Sequence, residues 1–149
     1  MNREILFRGQ TRRKGEKVRL DGSPVPSNWV YGGILLNNNG GDFAIIYQQE
    51  PEFDKFPVYA DTVCQYIGFT DKNNKKAFEH DVVKVYLEDN VYEIGQIVWS
   101  NDDARFKFVS SEADGSSFGI DYTCKFEIIG NVFDNPELLD KEGETNGDN

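Results

Sequence analysis

Apolar and polar positions alternate through most of the second half of the chain. VVKVYLE (82–88), VYEIGQIVWS (91–100), ARFKFVSS (104–111) and KFEIIGNVFD (125–134) each read as strands, although a parity change near Gly95 makes the two-residue period approximate. The linker DN (89–90) suits a two-residue hairpin connection. EADGSSFG (112–119) reads as a loop, and DKNNKKAFEHD (71–81) as a polar turn with one buried aromatic, Phe78. Just upstream, VYADTVCQYIGFTD (58–71) predicts one short helical turn near Ala60–Gln65, then a strand at Tyr66–Phe69.

The first sixty residues give a looser pattern. REILFR (3–8) alternates weakly around Ile5 and Phe7 and predicts an edge strand. The polar stretch that follows, broken by Gly15, Gly22, Pro24 and Pro26, reads as a turn and a loop. WVYGGILL (29–36) and FAIIYQ (43–48) are β-branched and aromatic, and NNNGGD (37–42) between them makes a hairpin. The Gly32–Gly33 pair predicts a bulge or a close backbone approach. EPEFDKFP (50–57) reads as irregular, because its prolines argue against regular structure.

These elements predict a mostly β protein with little helix. Five or more short strands between residues 58 and 134, joined by tight turns, point to a small barrel. The expected organisation is a strand and hairpin layer over 1–57, a barrel over 58–139, and a disordered acidic tail over 140–149, which has no apolar anchor.

Charge modifies this picture more than composition does. The net charge is −10, unevenly distributed. Residues 1–20 hold seven bases against two acids, a net +5, and the remainder holds nine against twenty-four, a net −15. An acidic body repels a phosphate backbone, so nucleic acid is disfavoured as a partner. The basic segment, with Arg12, Arg13 and Lys14 at its centre, is expected to lie against the acidic body or against an acidic neighbour in a homo-oligomer. No apolar run approaches a membrane span, and the N-terminus lacks the apolar core of a secretory signal. Cys64 and Cys124 stand singly and read as reduced small hydrophobes, so the expected compartment is the cytoplasm.

Catalytic constellations are hard to find. Asp71, Asn73 and Lys75 mimic a calcium loop, but a cation stands at the fifth position, Lys76 replaces the turn glycine, and Val82 replaces the closing carboxylate. The single histidine, His80, lies between Glu79 and Asp81, and neighbours in an extended chain cannot converge on one ion. It reads as a solvated turn histidine. Neither G-x-S-x-G, a Walker pattern nor G-x-G-x-x-G occurs. Paired acids such as Asp102 and Asp103 fall in expected loops, where solvated carboxylates are the default. The expectation is no enzyme, no metal and no cofactor. The remaining interaction candidates are strand aromatics: Trp29, Tyr31, Tyr92 and Trp99.

Five groups of residues, in order, carry a family resemblance. REILFRG (3–9) and WVYGG (29–33) open the chain, and DTVCQYIGFTDKNNKKAFEHDVV (61–83) and GQIVW (95–99) follow. EIIGNVFDNPELL (127–139) closes it. Together they resemble the YopX-like family of phage and prophage proteins. This chain departs from the family pattern at Asn74 and at His80, both positions where glycine is usual. The resemblance implies an SH3-like barrel in the C-terminal part and no assigned catalytic group. It also casts Gly68, Asp71, Asp81, Gly130 and Asn131 as turn and packing determinants. The expected function is a non-catalytic, oligomeric protein-interaction module with a protein partner still to be identified. The alternative is a nucleic-acid-related accessory protein, binding through the basic segment or acting as an acidic mimic of DNA.

Overall fold

The computed structural model describes residues 3–13, 15, 16, 18, 22, 28–36, 41–88 and 90–140. The expected tail after residue 140 and the candidate Lys14 lie outside them. Within the described residues the strands are β1 Phe7–Gln10, β2 Trp29–Leu36, β3 Phe43–Gln48, β4 Asp54–Tyr59, β5 Cys64–Thr70 and β6 Lys76–Phe78. The chain continues with β7 Asp81–Glu88, β8 Val91–Ser100, β9 Arg105–Ser110, β10 Ser117–Gly119 and β11 Lys125–Asn131. Short 3₁₀ turns occupy Ala60–Thr62 and Pro136–Leu139. The protein is mostly β, in two antiparallel sheets ordered β4-β3-β2-β1-β5-β6 and β10-β9-β8-β7-β11. The chain divides into two compact units, Met1–Tyr66 and Ile67–Asn149.

In the first unit the β2–β3 hairpin falls where the alternation placed it, with a register shift between Ile34 and Leu36. Two expectations are corrected. β1 is an interior strand, paired with both β2 and β5, and not an edge. Its polar residues hid this, because Arg8, Gln10 and Thr11 are all buried. Main chain and side chain both find partners here: the Gln10 N–H donates to Thr62 Oγ1 at 2.8 Å, and Thr11 Oγ1 donates to the Asn28 carbonyl at 3.3 Å. The second correction is β4, a strand where the prolines of 50–57 suggested none. Pro57 sits opposite Ile45 on the outermost strand of its sheet, where a missing N–H breaks no ladder. Val30, Ala44, Ile46, Phe56 and Val58 form the core of this unit, with Phe7, Ile34 and Val63 against it.

The second unit packs Ile67 of β5 and Ala77 of β6 against Val83, Val85, Ile97, Phe108, Ile120 and Phe126. Phe108 and Ile97 are wholly enclosed, and burial of this kind contributes roughly 1.5–3 kcal/mol per large side chain. The hydrogen bonding of the five-stranded sheet is open, with β10 and β11 as its outer strands, so it does not close into a barrel. β10 is only three residues long and offers little to pair with. β6 and β10 were missed as strands because each is short and set among turn residues.

A buried carboxylate organises the turn between β5 and β6. Asp71 Oδ1 accepts the N–H groups of Asn73 at 2.8 Å and Lys75 at 2.9 Å, while Oδ2 accepts the N–H of Ile128 on β11 at 2.9 Å. The calcium-like spacing is therefore spent on the backbone. Asn74 follows at φ 64°, the left-handed region that glycine usually takes and asparagine tolerates. Asp81 repeats the device, accepting the Phe78 N–H at 2.8 Å. Between them His80 also adopts a left-handed φ of 68°, and its N–H donates to the Ile97 carbonyl at 2.7 Å. It is half-buried rather than solvated, with its ring edge-on to Phe133 at 5.6 Å. At the other end, Asn131 Oδ1 accepts the N–H groups of Phe133 and Asp134 at 3.0 and 2.9 Å, shaping the turn into Pro136–Leu139.

Burial alone would raise the Asp71 carboxyl, but the hydrogen bonds from Ile128, Lys75 and Asn73 outweigh it and hold the group below its ordinary value of 3.8. A depressed carboxyl contributes stability that is complete above that ordinary value and lost as pH falls through the folded one. In urea titrations, Asp71→Asn should cost roughly 2–4 kcal/mol at neutral pH and flatten the loss of stability below pH 3.8. Ala104 occupies a left-handed φ of 53° and is exposed. Ala104→Gly should therefore raise stability by about 0.5–1 kcal/mol, read by the same titration.

Candidate functional site

The first sheet has a second face opposite its core. On β2 the core side holds Val30 and Ile34, so Trp29, Tyr31 and Gly33 point the other way. On β3 the same alternation turns Phe43, Ile45 and Tyr47 outward, and on β4 it turns Lys55, Pro57 and Tyr59 outward. The register places Tyr47 beside Gly33 and Phe43 beside Tyr59. A Cβ at Gly33 would lie 2.4 Å from Tyr47 Cε1, so the glycine leaves room for the ring to lie down across β2. Tyr47 stacks on Phe53 at 5.9 Å between centroids, and Phe43 meets Tyr59 at 5.7 Å.

Two of these rings carry an arginine. The Arg8 guanidinium lies 4.5 Å from the centre of Trp29, and the Arg13 guanidinium 3.9 Å from the centre of Tyr59. Arg13 also pairs with Asp61 at 2.8 Å, and its backbone N–H donates to the Glu16 carboxylate. Arg12 donates to the Glu16 carbonyl, and the Tyr59 hydroxyl donates to the Glu16 carboxylate at 3.1 Å. Arg13 thus lies against acids of its own unit. An exposed ion pair such as Arg13–Asp61 adds little stability, but it occupies the cation.

At one end of this face a groove of about 640 Å³ crosses the β2 glycines. Tyr31 and Tyr47 line it, with Glu4 and Glu50 at its polar margin. The Gln48 side chain fixes the floor by donating to the Tyr31 carbonyl at 2.9 Å. At the opposite end of the hairpin, Leu35 and Phe43 are 51% and 44% exposed.

In the second unit, Tyr92 and Trp99 lie seven residues apart on β8 and therefore on opposite faces. Tyr92 stands with Tyr86 at 6.3 Å and under Lys84 Nζ at 4.5 Å. Trp99 packs edge-on to Phe106 at 5.1 Å, and its Nε1–H donates to Asn101 at 3.0 Å. These two do not form one platform, whereas Trp29 and Tyr31 share a face. Tyr47, Phe53 and Gly33 were missed as site residues. The alternation of Phe43, Ile45 and Tyr47 in an expected strand was the available signal.

A hydrogen bond from Lys107 at 2.8 Å, reinforced by its charge, lowers the Asp103 carboxyl. Asp121 is lowered by its hydrogen bonds from the Thr123 hydroxyl and N–H. Among the described residues no three His, Cys, Asp or Glu side chains are grouped to hold a metal ion. Cys64 and Cys124 are both free thiols. No helix of the described residues is long and apolar enough to cross a membrane.

A family model described as YopX protein matches residues 28–140. That is well over half of the chain, and the protein belongs to this family, as its ordered motifs suggested. No curated protein matches it.

The Tyr59 hydroxyl is raised above 10.0 first by burial and then by its hydrogen bond to Glu16, while Arg13 pulls it down. Glu16→Gln should therefore move the ionisation of Tyr59 to lower pH, and Arg13→Ala should move it to higher pH. Alkaline absorbance titration, with Tyr59→Phe to assign the transition, reads both shifts.

Proposed function

We propose that this chain is a non-catalytic, oligomeric protein-interaction module of phage or prophage origin that works in the cytoplasm. The observation that carries this reading is the outer face of the first sheet. Tyr31, Leu35, Phe43 and Phe53 are each more than two-fifths exposed and cluster on one hairpin and the segment after it. Exposed apolar side chains scattered singly are ordinary, but four on one hairpin and the segment after it are more than scatter supplies. The direct nucleic-acid reading has less support, because Arg12 and Arg13 are engaged by Glu16 and Asp61 within a strongly acidic chain.

A second copy is assigned to the Leu35–Phe43 end of the face. Sedimentation velocity should show the wild-type chain heavier than a monomer, and Leu35→Ser with Phe43→Ser should leave a monomer of unchanged far-ultraviolet circular dichroism. A wild-type chain that sediments as a monomer at all concentrations removes the oligomeric reading. Tight retention on DNA filters at low salt would favour the nucleic-acid alternative instead.

A further inference from the structure

We infer that the outer face of the five-stranded sheet, around Lys84 and Lys125, receives an extended acidic segment of a partner protein. The inference rests on the interaction-module reading and adds to it a surface on the second unit with a partner of stated charge.

The core residues Val83, Val85, Phe126 and Ile128 take one side of this sheet. Alternation therefore turns Lys84 and Tyr86 of β7, Tyr92 of β8, and Lys125 and Glu127 of β11 to the other side. The register sets Tyr86 between Lys125 and Tyr92, and sets Lys84 beside Glu127. Glu127 nevertheless serves other groups: it pairs with Lys72 at 3.8 Å and accepts the Tyr86 hydroxyl at 3.3 Å. Lys84 lies over the Tyr92 ring at 4.5 Å instead. Neither Lys84 nor Lys125 is in an ion pair among the described residues, although the chain has 26 acids against 16 bases. Lys107 on the same face is different, being held by Asp103 at 2.8 Å.

The spacing of the two lysines suits an extended peptide. They are diagonal neighbours on adjacent strands, about 7–8 Å apart. An extended chain repeats its same-side residues every 7 Å or about that, so acids at alternate positions meet both ammonium groups. Leu87, Val91 and Tyr92 beside them are each more than two-fifths exposed and supply apolar contact. A recess of about 450 Å³ adjoins Lys125, with Tyr86, Leu87 and Thr123 in its lining and Glu88 as its acid. Physiological salt screens exposed charges over about 8 Å, so a short segment responds chiefly to the charges it touches. A nucleic acid needs a longer track of cations, and its bases need open rings. Here the Lys84 and Lys72 ammonium groups stand over Tyr92 and Tyr86 at 4.5 and 4.9 Å, which favours a carboxylate over a stacked base.

The test is an amide-shift titration of the full chain with a hexa-glutamate peptide, with hexa-lysine and octa-thymidylate as comparisons. The expected result is a set of shifts at Lys84, Tyr86, Tyr92 and Lys125 that saturates with hexa-glutamate and is absent with hexa-lysine. Lys84→Gln and Lys125→Gln should each weaken hexa-glutamate binding about twofold to fivefold. Lys107→Gln, which removes the same charge from a lysine already paired, should leave it unchanged. No saturable shift at these four residues, an equal loss from Lys107→Gln, or tighter binding of octa-thymidylate through the same residues would overturn the inference. Shifts at these residues on dilution of the free chain would also overturn it, by giving the face to a second copy. If the inference falls while Leu35→Ser with Phe43→Ser still dissociates the oligomer, the partner chemistry fails and the module reading stands.

Discussion

A buried carboxylate that accepts three backbone N–H groups has very little freedom, and Asp71 is held in this way. Two of its donors belong to its own turn and the third to β11, so one side chain sets the shape of the β5–β6 connection and ties it to the sheet. The Lys72 N–H adds a further tie to the Phe126 carbonyl at 2.9 Å. Once this turn is fixed, Ile67 and Ala77 on its two arms face the enclosed residues of β7, β8 and β9. The apolar core supplies most of the free energy, but apolar contact is non-directional. The carboxylate selects one arrangement from the several that would bury similar area.

Around that fixed turn the chain repeatedly uses side chains other than glycine at left-handed positions. Asn74, His80, Asn90 and Ala104 all have positive φ. At Asn74 and His80 the surroundings offset the strain, since Asp71 holds the first turn and Phe133 packs against the ring of the second. At both positions the chain keeps, with other residues, a backbone geometry that glycine adopts freely.

The first unit follows a different logic, in which arginine and aromatic rings cover what the core leaves outside. Arg8 and Arg13 lie on Trp29 and Tyr59, so two rings of the outer face are closed by the chain itself. Tyr31, Phe43 and Phe53 stay substantially exposed. The uneven charge along the sequence thus has a local use: Arg8 and Arg13 meet rings of their own unit, and Arg13 also meets its acids.

Alternation alone placed β2, β3, β7, β8 and β9 to within a residue, because a half-buried strand writes its two faces directly into the sequence. The ordered motifs identified the family, and the turn roles of Asp71, Asp81 and Asn131 followed from it. Local pattern misplaced β1 as an edge, since buried Arg8 and Gln10 look like surface residues until their partners are known. It also missed β4, because whether a proline is tolerated depends on which side of the strand is empty. Of the candidate site, Trp29 and Tyr31 were legible as strand aromatics, while Tyr47 and the groove it lines were not. A groove exists only when strands from separate stretches are set in register, and register over a face with no dense core is a property of the folded sheet, not of any one segment.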